Sequence, residues 1–129
     1  IGVTSISLCR FYQSRVLSIL AYAAPSWFPY LSKNDKEKLE RLQKLCLRVI
    51  LPDIDNYDER LSYLNLESLS VHLDITCLKY VSKVSSNTDH PLARYQPQLS
   101  TTVKTHRKGL ARPTSRTALC GRSLFHKYF

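Results

Sequence analysis

Leu20-Ala21-Tyr22-Ala23-Ala24-Pro25-Ser26-Trp27-Phe28-Pro29 is the stretch whose reading decides the fold. An apolar run enters it, two prolines frame an aromatic pair inside it, and a charged amphipathic run leaves it. A proline lacks the backbone N–H and disfavours helical geometry in the residue before it. Pro25 is therefore expected to end one helix, and the segment Trp27-Phe28-Pro29-Tyr30 to fold back as a stiff aromatic plug before the next.

Upstream, residues 4 to about 24 are predicted as one helix capped by Thr4 or Ser5. Ser7, Arg10, Ser14 and Ser18 form a narrow polar stripe at spacings of three and four. Most of the rest is apolar, including Ile6, Leu8, Phe11, Tyr12, Val16, Leu17, Ile19 and Leu20. A helix apolar on most sides is built to be covered. Either the other helices wrap it closely, or an upstream domain covers one side.

Downstream, Ser32 and Asp35 approximate a capping box for a helix running to about Leu51, stopped by Pro52. Leu39, Leu42, Cys46, Val49 and Ile50 are its expected apolar face. Glu37 with Arg41, and Glu40 with Lys44, are i,i+4 pairs on the opposite face. Asp55 or Asn56 can cap a short helix over Tyr57 to Leu64, with Leu61 and Leu64 inward and Asn65 breaking it. A last helix is predicted from near Ser68 to about Ser85. Leu69, Leu73, Cys77, Tyr80 or Val81, and Val84 recur there at helical spacing. The fold class is thus all-α: a small antiparallel bundle of about four helices over residues 1–86, followed over 87–129 by a basic, largely irregular tail with a short apolar end.

Composition narrows the function classes. The 129 residues carry a formal charge of +9, unevenly placed. Residues 1–86 hold 11 Lys and Arg against 9 Asp and Glu, whereas residues 87–129 hold 8 against 1. A near-neutral helical part with a cationic tail suggests a polyanionic partner. Lys104, Arg107, Lys108, Arg112, Arg116, Arg122 and Lys127 recur, the adjacent Arg107-Lys108 pair apart, every three to six residues among Ser and Thr hydroxyls that also reach phosphate oxygens. The plain alternative is a solvated linker.

No apolar run is long enough for a transmembrane helix, so no membrane role is expected. The four cysteines, Cys9, Cys46, Cys77 and Cys120, have no metal-ligand spacing, and a reduced intracellular setting, cytoplasmic or nuclear, fits them. His72, His90, His106 and His126 are scattered without ligand or triad partners. Asp53, Asp55, Asp58 and Glu59 sit where acids cap helices and meet the helix dipole. Only Gly2, Gly109 and Gly121 are glycines, too few for a phosphate loop. No catalytic set is visible. Trp27, Phe28 and Tyr30 can stack on bases or, as aromatics between prolines usually do, serve as packing.

Several segments occur together in a telling order: Phe11-Tyr12, Ala21-Tyr22-Ala23, Pro25-Ser26-Trp27-Phe28-Pro29, Leu39-Glu40-Arg41-Leu42-Gln43-Lys44, Tyr57-Asp58-Glu59-Arg60-Leu61, and Leu64-Asn65-Leu66-Glu67-Ser68-Leu69. In this order they resemble the region after the catalytic palm in jockey-like non-LTR retrotransposon reverse transcriptases. The resemblance covers residues 6–84, and the tail more loosely. This chain departs from it in having Ala21 where similar sequences carry an acid, and Ser26 where they carry Val.

The resemblance implies a fragment of an RNA-directed DNA polymerase, a helical thumb that grips the template–primer duplex. The catalytic carboxylates and their Mg2+ would lie upstream in the palm and fingers, leaving no cofactor for this piece. With no Met and an Ile1-Gly2-Val3 start, the chain is expected to be part of a longer reading frame. Lys38, Arg41, Lys44 and Arg48 are the candidates to face an RNA–DNA or DNA duplex. The alternative is a small helical protein–protein interaction module of unrelated origin.

Overall fold

The computed structural model describes residues 2–95, and these are helical with no strand among them. The tail cations Lys104, Arg107, Lys108, Arg112, Arg116, Arg122 and Lys127 lie outside the described residues, as does the expected apolar C-terminal end.

The first helix begins where its cap predicts. Thr4 Oγ1 accepts the Ser7 amide at 3.3 Å, and α1 runs over Ser5–Phe11. It then widens into a π-helical segment, Tyr12–Leu17, before tightening into α2, Ser18–Ala21. The polar stripe accompanies this widening. Ser14 Oγ donates to the Phe11 carbonyl at 3.3 Å, and Ser18 Oγ to the Ser14 carbonyl at 2.5 Å. Hydroxyls that take carbonyls one turn back loosen the backbone ladder and bend the helix.

The helix does not reach Ala24. It stops at Ala21, Tyr22 is extended, and Ala23 sits in the left-handed region at φ 50°. Pro25 acts at longer range than its neighbour: a proline ring clashes with the carbonyl four residues back, here Ala21, if the helix continues. Pro25 itself then falls in the first turn of a new short helix, α3 (Ala24–Trp27), where its missing N–H costs nothing. A 3₁₀ turn, Phe28–Tyr30, follows. The expected loop is therefore two short helical turns, set off by an alanine whose left-handed backbone costs about 1–2 kcal/mol.

The second long helix, α4, spans Lys33–Ile50. The capping box is formed: Ser32 Oγ accepts the Asp35 amide at 3.2 Å and donates to Asp35 Oδ2 at 2.6 Å. Its inward face differs from the one expected. Gln43, Leu47 and Ile50 are buried, while Leu42 is 41% and Val49 71% exposed. Polar Gln43 belongs to the core stripe because its Nε2 donates to the Glu67 carbonyl at 2.9 Å.

Helix α5 is Tyr57–Leu64, capped by Asn56 and closed by Asn65 in the left-handed conformation. The Leu66 amide donates back to the Leu61 carbonyl at 2.9 Å, completing the C-terminal cap. Helix α6 is Leu69–Ser86. Its predicted stripe is buried at Leu69, Leu73, Cys77, Val81 and Val84, so Val81 rather than Tyr80 holds the inward position.

The described chain divides into two compact units, with the last of the three cuts inside α6. One unit comprises 2–24 and Ser32–Ile75. Its core is Cys9, Tyr12, Leu47, Ile50 and Leu51, against which Leu8, Val16, Leu17, Cys46, Ile54, Tyr57, Leu61, Leu64 and Leu66 pack. The other contains Pro25–Leu31 and, among described residues, 76–95. In it Phe28 and Pro29 are buried, Trp27 meets Phe28 edge to face at 6.0 Å, and Tyr80 meets His90 at 5.9 Å. Close wrapping of the first helix is not found among the described residues: Ile6, Phe11 and Ile19 are all exposed.

Candidate nucleic-acid interface

The four helix candidates all emerge on the outer side of α4. Lys38, Arg41, Lys44 and Arg48 are exposed. Lys38 and Arg48 lie ten steps apart along the helix, about 15 Å. The four are not equivalent. Lys38 Nζ lies 3.2 Å from Asp35 Oδ1, and the Ser32 hydroxyl, then Lys38, holds that carboxyl below its usual range. Lys44 stands 5.0 Å over the Tyr57 ring, a cation–π contact that leaves part of the ammonium outward. Arg41 and Arg48 have no ion-pair partner among the described residues. Two turns apart, they are the pair best placed to meet an external anion.

Beside this row lies a half-buried polar junction that the sequence pattern concealed. Glu40, expected to pair with Lys44 in solvent, instead turns inward. Its Oε1 accepts the Tyr57 hydroxyl at 2.5 Å, and its Oε2 accepts the Ser70 amide at 3.2 Å and the Ser70 hydroxyl at 3.4 Å. One carboxylate thereby joins α4, α5 and the first turn of α6, where a helix N-terminus favours negative charge. Burial, then the Glu40 hydrogen bond, pushes the Tyr57 phenol well above its ordinary range. Arg60 is likewise drawn in, with its Nε donating to the Leu51 carbonyl at 3.2 Å at the end of α4. A Glu or Arg at a helical position reads as solvated. The only hint in the sequence was proximity to a cap.

Among the described residues, two buried polar atoms have no hydrogen-bond partner, the Tyr12 hydroxyl and Gln43 Oε1. Burial pushes the Tyr12 phenol up to about 12. An unfolded chain releases that proton near pH 10, and the folded chain holds it to about pH 12. Tyr12 therefore adds no pH dependence below about pH 10, and stability falls as pH rises from about 10 to about 12, by about 2–3 kcal/mol in all. Urea titrations at stepped pH should show this loss, and Tyr12→Phe should reduce its size.

The acids of α5 line only a shallow, open depression formed by Ile54, Asp58, Glu59, Ser62 and Tyr63. Among the described residues no group of three His, Cys, Asp or Glu can hold a metal ion, and no helix is long and apolar enough to cross a membrane. His90 is engaged locally, its Nδ1 accepting the Leu92 amide at 3.1 Å. Phe28 is buried and closed to base stacking. No protein-family model matches the chain, and no curated protein and no solved structure matches it.

Proposed function

We propose that this chain is a thumb-like helical segment of a non-LTR retroelement reverse transcriptase, gripping an RNA–DNA or DNA duplex by its phosphates. The observation that carries the reading is the exposed row on α4, with Arg41 and Arg48 unengaged and Lys44 between them. Guanidiniums suit phosphate oxygens because their fork matches two acceptors at once. The cationic stretch 104–127 adds charge of the same sign. Base stacking and polymerase chemistry are assigned to no residue here. The carboxylates and Mg2+ of such a polymerase belong to its palm.

Binding of a short RNA–DNA hybrid across a salt series tests this. Each neutralised phosphate contributes about 0.9 to the slope of log K against log salt on B-form DNA, and somewhat less on single strands. Arg41→Ala with Arg48→Ala should therefore flatten the slope by between about 1 and 2, with similar loss on unrelated sequences. Hybrid binding with an unchanged slope in the double variant would refute the helix's part. No binding at low salt would refute the reading as a whole.

A second reading, a protein-docking module, has its own support in the apolar residues that α4 leaves outside.

A further inference from the structure

The outer face of α4 is not purely cationic. Leu42, Leu45 and Val49 are 41%, 61% and 71% exposed. Their spacing is three then four, and at about 100° per residue they fall within about 60° of one another around the helix. That is the a–d–a pattern of a coiled-coil seam. The seam is separate from the core stripe Gln43, Leu47 and Ile50, which is already buried. In the same register Arg41 and Arg48 both occupy g, the flanking position that selects partners by charge.

We propose that this seam docks an amphipathic helix of another protein, one carrying apolar residues at a and d and acidic residues opposite Arg41 and Arg48. Charge decides among the possible occupants. Two copies of this chain pairing antiparallel would set Arg41 and Arg48 against their own counterparts. Pairing in parallel would set Arg41 against Cys46, half-buried and uncharged at the e position, and Arg48 against position 53, beyond the end of α4. Neither arrangement supplies an acid from within the helix, since Asp53 lies past its end. A bilayer surface asks for a broad apolar face, whereas the other apolar residues of α4, Leu39, Cys46, Leu47 and Ile50, are buried or half-buried. A narrow apolar line with cations on one edge fits a single acidic helix. This inference does not rest on the nucleic-acid reading, although both use Arg41 and Arg48.

The test uses the whole chain and a synthetic helix of about four heptads with Leu at a and d and Glu at e and g, read by fluorescence anisotropy. Leu45→Gln with Val49→Gln, both at exposed positions and checked by circular dichroism, should weaken binding by at least about tenfold. Their hybrid binding should stay unchanged. Arg41→Glu with Arg48→Glu should lose the Glu-flanked helix and gain a Lys-flanked one. The proposal is overturned if the native chain binds both helices equally, or if the Gln pair binds like the native chain. It is also overturned if the Gln pair abolishes self-association in sedimentation, adsorption to phosphatidylserine vesicles, or hybrid binding.

Discussion

Leu47→Ala is expected to lower stability by about 3 kcal/mol, within the range of about 2–5 for a buried leucine truncated to alanine. Leu45→Ala, two positions away on α4, should change it by less than about 0.5 kcal/mol, as an open surface site does. The contrast follows from burial. Leu47 is 0% exposed among Cys9, Tyr12, Ile50 and Leu51, whereas Leu45 is 61% exposed. Removing Leu47's outer carbons leaves a void that α1 and α4 must collapse around, and the lost contacts add to the lost transfer energy. A unit this small has little stability to spare. At about 4–8 °C per kcal/mol for domains of roughly this size, Leu47→Ala should melt roughly 12–24 °C lower. Similar melting of the two variants would mean that α4 is turned otherwise than described.

That pair also shows what the sequence could and could not reveal. Local chemistry was readable wherever one residue acts on its neighbours. Thr4, Ser32 and Asn56 cap the helices they were expected to cap, and Asn65 ends α5 in the left-handed conformation that asparagine tolerates. The stripe on α6 was readable because Leu69, Leu73, Cys77, Val81 and Val84 offer one continuous apolar line. On α4 the apolar residues surround more of the helix. Leu39, Leu42, Leu45, Cys46, Leu47, Val49 and Ile50 admit two faces, and periodicity alone does not choose between them. Tertiary contact did so, through Gln43's bond to the Glu67 carbonyl and through packing against α1.

At the site the same division holds. Exposure of Lys38, Arg41, Lys44 and Arg48 was foreseeable, since an amphipathic helix sends its charges outward. That Lys38 and Lys44 are engaged while Arg41 and Arg48 are not was invisible, because it depends on Asp35's capping geometry and on where α5 places Tyr57. The break at Tyr22-Ala23 was displaced for a comparable reason: Pro25 acts on the carbonyl of Ala21 as well as on its neighbour.

Glu40→Ala should destabilise the fold by about 2–3 kcal/mol, the scale of losing hydrogen bonds to a charged acceptor whose donors stay behind. Tyr57 Oη and the Ser70 amide and hydroxyl would all lose their acceptor, at a junction of three helices. Glu40→Gln keeps the length and one carbonyl oxygen but replaces the other with a donor. It should recover part of the loss and no more, since the tie to α6 draws on charge at a helix N-terminus. Tyr57→Phe should cost less than Glu40→Ala, because two of the three bonds remain. In a double-mutant cycle, Glu40→Ala and Tyr57→Phe should couple by about 1 kcal/mol or more, whereas exposed pairs on unrelated faces add independently. Phenol titration supplies a readout that simple packing loss would not move. With Glu40→Ala, Tyr57 should ionise at lower pH than in the parent chain, since the Glu40 hydrogen bond, second only to burial among the causes of its upward shift, is gone with the charge. A cycle with no coupling and an unmoved Tyr57 would leave Glu40 an ordinary surface acid, and the join between α4, α5 and α6 would have to be sought elsewhere.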